Sequence, residues 1–322
     1  MGKKIHTLLQ IPNLLSLDAP LVAFLWMMML VDHYKMSLWD YPITLVICAS
    51  IWVVYVLDRT LDVWSGRRKV SETKRHAFAW KYKKILLPLA IIILVAVVYA
   101  SLSIIPVAYF TAGMVLALLA AVYFLLIPSQ SEEVPYLKNL MAGLVFAMGI
   151  GIPTQLLSVS MRVDILSVLE PFDDPHFSFV MALFEGLKIS IFLVMSNLAA
   201  LMSSFEILAL GLVCLINITL IDLWERTEKD VDKGKFNKDG QLVSGFMILL
   251  TMVLCLVNWV QNSSSGPAIH SSYYFYALAA ATLLLFCVNS YKKHFNLELK
   301  RILADIALVI PPVFYFSFKF IT

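Results

Sequence analysis

The sequence predicts an all-α membrane protein, a bundle of about nine transmembrane helices around a central cavity. Of its 322 residues, 60% are hydrophobic and only 15% are charged, which is too apolar for an ordinary soluble domain. Apolar segments close to the roughly 20 residues that cross a bilayer recur along the chain. They show no alternation of period two, so helices are favoured over a barrel. The lipid bilayer is therefore an expected partner, and nucleic acid is not.

Proline residues mark the ends of some predicted spans. Pro106 and Pro128 follow the third and fourth apolar segments, where proline is expected to end a helix. No internal repeat or low-complexity linker divides the chain, so residues 1–322 are expected to form a single transmembrane domain. The spans are expected at 18–32, 41–58, 84–104, 107–127, 138–156, 203–223, 242–260, 273–291 and 302–320.

The distribution of basic residues predicts the orientation in the membrane. If the amino terminus is cytoplasmic, all of the 25 Lys and Arg residues fall in cytoplasmic segments except Lys35, Arg162, Lys188 and Lys319. This alternation requires an odd number of crossings between 157 and 224. Residues 157–202 are therefore expected to form an extracytoplasmic insert, interfacial or re-entrant, before the span at 203–223.

Two groups of acidic residues end spans on the predicted cytoplasmic side. Asp58 and Asp62 close the second span four residues apart, so they share one helix face. Asp222 and Glu225 share a face at the end of the sixth span, and Asp230 follows where that helix is expected to end. One such group would be read as interfacial charges paired with neighbouring Arg and Lys. Two groups on the same side favour a shared chemical role.

Carboxylates beside basic side chains suit a metal-chelated phosphate. Carboxylate oxygens can hold Mg²⁺, which usually keeps further positions for phosphate oxygens. Lys and Arg donate hydrogen bonds to the same phosphate. The basic segment 65–84, which includes Arg75, could cover such a group, and it also fits a topology signal that contacts anionic lipid.

The order and spacing of these motifs resemble the UbiA superfamily of intramembrane prenyltransferases, which has nine helices and Asp-rich motifs ending the second and sixth. Asp58, Arg59 and Asp62 match the later part of the first motif, whose Asn and first Asp are replaced by Val54 and Tyr55. Arg75-His76 stands where the family has Arg-Pro. Asp222, Glu225, Asp230 and Asp232, followed by Gly234-Lys235, resemble a loosened second motif, and Lys138 matches a lysine before the fifth helix.

The resemblance implies a Mg²⁺-dependent enzyme that ionises an isoprenyl diphosphate to an allylic cation. It implies metal ligands at Asp58, Asp62, Asp222, Glu225 and Asp230, and diphosphate-binding residues at Lys138, Arg75, Arg59 and Arg226. Asn217 could line the pocket or make an ordinary hydrogen bond between helices. Tyr55, grouped with Asp58, Asp62 and Glu225 as a catalytic candidate, could stabilise a cation, transfer a proton or simply pack.

Three outcomes stay open for the allylic cation. Transfer to an external aromatic or lipid acceptor is favoured, and the alternative is a terpene cyclase, an activity also found in this superfamily. The third is a degenerate site that only binds lipid. A transporter ranks lower, because the sequence shows no repeated pair of broken helices. Asp305 is expected to be solvated or paired near the interface.

Overall fold

The structure, a computed structural model, is helical throughout the residues that it describes and contains no strand there. These residues are 11–36, 41–64, 74–105, 107–126, 135–160, 199, 201–228, 233–264 and 273–319. The short 3-10 helix Lys292–His294 joins the last two helices. The α-helices are α1 Asp18–His33, α2 Tyr41–Trp64, α3 Lys74–Lys81, α4 Lys83–Ser103, α5 Val107–Leu126, α6 Pro135–Ser160, α7 Phe205–Glu228, α8 Lys233–Ser264, α9 Tyr274–Ser290 and α10 Leu297–Lys319.

Each predicted span coincides with one of these helices, and α3 is an additional short helix between the second and third. Among the residues that the structure describes, five helices are long and apolar enough to cross a membrane. The apolar stretches are Pro42–Thr60, Lys83–Ser103, Phe205–Glu228, Lys238–Gln261 and Leu297–Lys319. The insert expected at 157–202 lies almost entirely outside the described residues.

α7 is the central helix of the described bundle. Of its apolar stretch, 67% is buried inside the protein, against 6% for α4. α7 packs against α6, α8, α9 and α10, whereas α4 turns most of its aliphatic side chains outward. The second predicted acid group therefore belongs to the best-buried of the five helices.

α6 and α7 approach each other at glycine residues. A Cβ atom added to Gly143 would lie 2.8 Å from the backbone nitrogen of Leu215 and 2.9 Å from the carbonyl oxygen of Gly211. Only a residue without a side chain fits such a close approach of two backbones. Asn139 Nδ2 donates to Thr219 Oγ1 at 3.5 Å across the same pair of helices. These contacts fix the distance between α6 and α7.

One end of the bundle carries a buried polar network between α1, α6 and α7. His33 Nε2 lies 3.3 Å from Glu206 Oε1, and Ser204 Oγ donates to Glu206 Oε2 at 3.1 Å. Gln155 Nε2 donates to Tyr34 Oη at 2.7 Å and to Ser204 Oγ at 3.1 Å. We call this the His33 end.

Asp32 joins α1 to α10 at the same end. Its carboxylate accepts hydrogen bonds from Tyr315 and Lys319. Halfway along these two helices, Trp26 Nε1 donates to the carbonyl oxygen of Leu308 at 3.0 Å. The amino termini of α1 and α10 therefore lie together at the opposite end of the bundle.

Candidate functional site

The candidate site lies at that opposite end, where Glu225 of α7 is enclosed by two arginines. Arg301 Nη2 of α10 is 2.5 Å from Glu225 Oε1, and Arg75 Nη2 of α3 is 3.6 Å from the same oxygen. Arg301 is 1% exposed and Glu225 5% exposed. Charges this deeply buried are tolerated because each has an opposite charge beside it.

Glu298 adds a second acid from the first turn of α10. Arg301 Nη1 donates to Glu298 Oε1 at 3.4 Å, and the backbone N–H of Lys74 donates to the same oxygen at 3.4 Å. Lys74 is the first residue of α3, where backbone N–H groups lack partners within the helix. Glu298 therefore holds the start of α3 against the start of α10.

A second group of polar side chains lies where α1 begins. Arg59 Nη1 of α2 donates to the carbonyl oxygen of Asn13 at 2.5 Å, and Arg59 Nη2 is 3.6 Å from Asp18 Oδ2. Asn13 Nδ2 donates to Asp18 Oδ2 at 2.8 Å and to Asp305 Oδ2 at 3.3 Å. One amide group thus joins carboxylates from α1 and α10.

Tyr55 and Asn217 complete this second group. Tyr55, one turn before Arg59 in α2, is close enough to Asp18, Asp305 and Arg59 for their charges to act on it. Asn217 of α7 lies close enough to Asp305 to interact with its carboxylate. Both candidates that the sequence left ambiguous therefore lie beside carboxylates.

Arg75 connects the two groups into one site. Its charge acts on Asp305, and it repels both Arg59 and Arg301. We refer to the combined set as the charged cluster. It consists of Asn13, Asp18, Tyr55, Arg59, Arg75, Asn217, Glu225, Glu298, Arg301 and Asp305.

Several buried atoms of the charged cluster have no hydrogen-bond partner in the described part of the chain. Most buried polar groups in folded proteins are paired, so several unpaired ones in one place are typical of a binding site. The donors suit an anion with several oxygens, and the acceptors suit a cation or another donor. The donors are Arg59 Nη2, Arg75 Nε and Arg301 Nε; the acceptors are Asp18 Oδ1 and Asn217 Oδ1.

The predicted diphosphate-binding residues have different surroundings. Arg59 and Arg75 belong to the charged cluster. Arg226 instead donates through Nε to Asp222 Oδ2 at 3.0 Å, in a pair whose side chains are about 30% exposed. Lys138 is half-buried near the start of α6 and has an interaction partner.

The predicted metal ligands on α7 are occupied by arginines. Glu225 is paired with Arg301 and Arg75, and Asp222 with Arg226. These carboxylates as placed do not fit a Mg²⁺ site, because their oxygens already face guanidinium groups. Among the described residues, no three or more His, Cys, Asp or Glu side chains are grouped so as to hold a metal ion.

The other predicted metal ligands are only partly described. Asp58 is half-buried in α2 and has an interaction partner. Asp62 belongs to α2, but its side chain lies outside the described set, as does Asp230 altogether. Their assignment as metal ligands stays a prediction.

The sequence interpretation missed residues from the first and last helices. Glu298, Arg301 and Asp305 are spaced by three and four residues, so they share one face of α10. That spacing at the start of a predicted span was a usable signal. Asp305, expected to be solvated or paired, accepts a hydrogen bond from Asn13 and interacts with Asn217. The remaining two missed residues are Asn13 and Asp18.

Comparisons of the chain with protein-family models, with curated proteins and with solved structures give no match. The function therefore has to be argued from the chemistry of the site.

Proposed function

We propose that the protein is a membrane-embedded enzyme of the UbiA type, which ionises an isoprenyl diphosphate to an allylic cation. The observation that carries this proposal is a set of buried guanidinium nitrogens that have no hydrogen-bond partner among the described residues: Arg59 Nη2, Arg75 Nε and Arg301 Nε. Guanidinium groups are well suited to phosphate oxygens, which accept several N–H bonds at once. Because the arginines come from α2, α3 and α10, they could contact one anion from different directions.

The apolar helices support the isoprenoid part of the proposal. The charged cluster lies at one end of a bundle in which five helices are long and apolar enough to cross a membrane. On the proposal, the diphosphate binds at the cluster and the hydrocarbon chain extends between the helices into a central cavity. Burial of each methylene group of that chain would contribute about 0.8 kcal/mol. The proposal retains the nine spans and places the cluster on the cytoplasmic side.

In the proposed reaction, the bond between C1 of the prenyl chain and the diphosphate oxygen breaks. Both electrons leave with the diphosphate, and an allylic cation stays behind. Arg59, Arg75 and Arg301 stabilise the negative charge that develops on the leaving oxygen. Glu225 is the positioning residue, because it orders Arg75 and Arg301 before the substrate arrives. The resemblance also implies Mg²⁺, which the proposal keeps as a cofactor without assigning it to the carboxylates of α7.

Prenyl transfer is the favoured fate of the cation. An aromatic or lipid acceptor would attack C1 and form the new bond, and its proton would pass to the released diphosphate or to water. The acceptor would reach the cation from the membrane side of the cluster.

Tyr55 favours a second candidate, terpene cyclisation. The charges of Asp18 and Asp305 act on its hydroxyl group, so an aromatic side chain and two carboxylates belong to the same cluster. An aromatic ring can stabilise a carbocation through its π electrons. In this reaction a double bond of the substrate's own chain attacks C1, and a carboxylate accepts the proton lost at the end.

The test is release of diphosphate by purified protein in detergent with Mg²⁺ and farnesyl or geranylgeranyl diphosphate. Arg301→Gln is expected to lower kcat/KM by about a hundredfold, the usual effect of removing one transition-state donor. The matched control is Arg226→Gln, whose partner Asp222 lies outside the charged cluster. It is expected to stay within about threefold of the parent, as for other partly exposed pairs.

Products distinguish the two candidates. Release that requires an added aromatic or lipid acceptor would support transfer. Hydrocarbon or terpene alcohol products without an acceptor would support cyclisation. If the folded parent releases no diphosphate with any combination, the enzyme proposal fails and lipid binding without catalysis replaces it.

A further inference from the structure

We infer that the charged cluster holds a divalent cation on Asp18, Asp305 and Asn217, which come from α1, α10 and α7. The inference deepens the proposed function, on which the purpose of the cation rests. The site itself is argued from the described contacts. It differs from the ligand set that the two acid motifs predict.

The two carboxylates are already joined by one group. Asn13 Nδ2 donates to Asp18 Oδ2 at 2.8 Å and to Asp305 Oδ2 at 3.3 Å. Two carboxylates this close repel each other when both are ionised, so a positive group between them is favourable. A cation bound by both would supply full positive charge where the amide supplies only partial charge.

Two buried oxygens in this group accept no hydrogen bond from the described residues. Asn217 is 8% exposed, and its Oδ1 has no hydrogen-bond partner among the described residues, although its side chain interacts with Asp305. Asp18 Oδ1 is also buried without a partner. A cation bound beside Asp305 would give these two oxygens the positive partner that the described residues do not supply.

The chemistry of these side chains indicates the class of cation. Carboxylate and amide oxygens are the ligands of hard cations such as Mg²⁺, Mn²⁺ and Ca²⁺. None of the three residues supplies the sulfur or imidazole nitrogen that favours zinc or copper. The remaining coordination positions would be open to water or phosphate oxygens.

Asp18 and Asp305 are also less neutralised by arginine than Glu225. In the described part of the chain, the guanidinium nitrogen near Asp18 is Arg59 Nη2 at 3.6 Å, and Arg59 and Arg75 act on Asp305 only through longer-range charge. Glu225, by contrast, has Arg301 Nη2 at 2.5 Å. A cation is therefore attracted more strongly to Asp18 and Asp305 than to Glu225.

Arg59 places this cation beside the proposed phosphate site. It contacts the carbonyl oxygen of Asn13 and approaches Asp18, while its Nη2 has no hydrogen-bond partner. A diphosphate bound by Arg59 would therefore lie next to the cation. Its oxygens could then complete the coordination that the three protein residues leave open.

The test is a titration of Mn²⁺ into the purified full chain in detergent, without substrate, in which electron paramagnetic resonance measures free Mn²⁺. Asp18→Asn and Asp305→Asn are each expected to weaken Mn²⁺ binding by about tenfold or more, because affinity follows the number of charged ligands. Mg²⁺ should displace Mn²⁺ from the parent. The matched control is Asp32→Asn, since Asp32 belongs to α1 but pairs with Tyr315 and Lys319 at the His33 end.

The inference is overturned if the folded parent binds no Mn²⁺, or if both Asp18→Asn and Asp305→Asn bind it like the parent. Loss of binding in Asp58→Asn or Asp222→Asn, with Asp305→Asn unaffected, would overturn it in favour of the motif residues. If an Asp variant does not fold, Asn217→Ala decides, because it removes one ligand oxygen without changing charge. Diphosphate release is measured separately, so failure of the cation site and failure of the enzyme proposal are distinguishable.

Discussion

Glu225 lies between Arg75 of α3 and Arg301 of α10, so one negative charge serves two cations in the charged cluster. Asp222 is three residues earlier in the same helix and pairs with Arg226, but that pair is partly exposed to the surroundings. Two acids of one sequence motif therefore have different physical roles. The two acids differ in how deeply they are buried, and the spacing of residues in a motif does not predict burial.

Replacing Glu225 by Gln is expected to destabilise the protein strongly. Arg75 and Arg301 would lose their shared partner, and breaking a buried ion pair costs about 3–5 kcal/mol. Asp222→Asn should cost at most about 1 kcal/mol, because partly exposed pairs contribute little. Thermal or denaturant unfolding in the same detergent measures both variants. Equal losses of stability would contradict the placement of Glu225.

Sequence reasoning found only part of the charged cluster. Arg59, Arg75 and Glu225 were found because they lie near acid motifs at the ends of two predicted spans. Asn13, Asp18 and the residues of α10 were missed because their role depends on the first and last helices being adjacent. That adjacency comes from tertiary contacts such as Trp26 with Leu308, between residues 282 positions apart.

At the scale of helices, the crossing of α6 and α7 is the tightest described packing constraint. Gly143 lies against the backbone of α7 at Leu215 and Gly211. Because α7 also carries Asn217 and Glu225, any displacement at this crossing moves one wall of the charged cluster. The helix crossing and the site are therefore mechanically linked.

Gly143→Ala is expected to separate α6 from α7 and to destabilise the protein by about 1–3 kcal/mol, the usual cost of overpacking. The added Cβ would lie 2.8 Å from a backbone nitrogen that cannot move independently of its helix. Gly245→Ala in α8 is the control, since nothing lies within 4 Å of its added Cβ. Unfolding of both variants is compared with the parent, and a neutral Gly143→Ala would contradict the close crossing.

The apolar segments of the sequence predicted where the helices lie but not where each helix begins and ends. The span predicted at 302–320 is the helix Leu297–Lys319, and that predicted at 242–260 is Lys233–Ser264. Polar residues continue both helices beyond the apolar stretch, where hydropathy gives no signal. α3 was not predicted because it is short and polar, and its contacts with Glu225 and Glu298 come from other parts of the chain.

On the scale of the whole molecule, polar contacts gather at two opposite ends and apolar helices connect them. The charged cluster contains the ends of α2 and α7 and the starts of α1, α3 and α10. The His33 end contains the opposite termini of α1, α7 and α10. Such an arrangement fits a protein whose two ends meet water or lipid headgroups.

Labelling of single cysteines checks the proposed orientation. In a variant lacking Cys48, Cys214, Cys255 and Cys287, Lys293→Cys should react with an impermeant maleimide only after the cells are opened. Tyr273→Cys, exposed at the opposite end of α9, should react on intact cells. The reverse pattern would contradict the orientation, and reaction of both on intact cells would contradict α9 as a span.

Side-chain contacts join α1, α7 and α10 to one another. α1 and α10 are joined near both ends and at Trp26, α7 is joined to α1 through Glu206, and α7 is joined to α10 through Glu225. If the protein binds a long isoprenyl chain as proposed, that chain would enter without breaking these contacts only through a different wall of the bundle.

Within the described residues, such a wall exists between α4 and α5. α4 packs against α2 and α5 packs against α6, but α4 and α5 touch each other little although they are consecutive. No ion pair described in the structure joins α4 to α5. On the proposed function, a hydrocarbon chain could therefore enter sideways from the bilayer between these two helices while the contacts among α1, α7 and α10 hold the charged cluster in place.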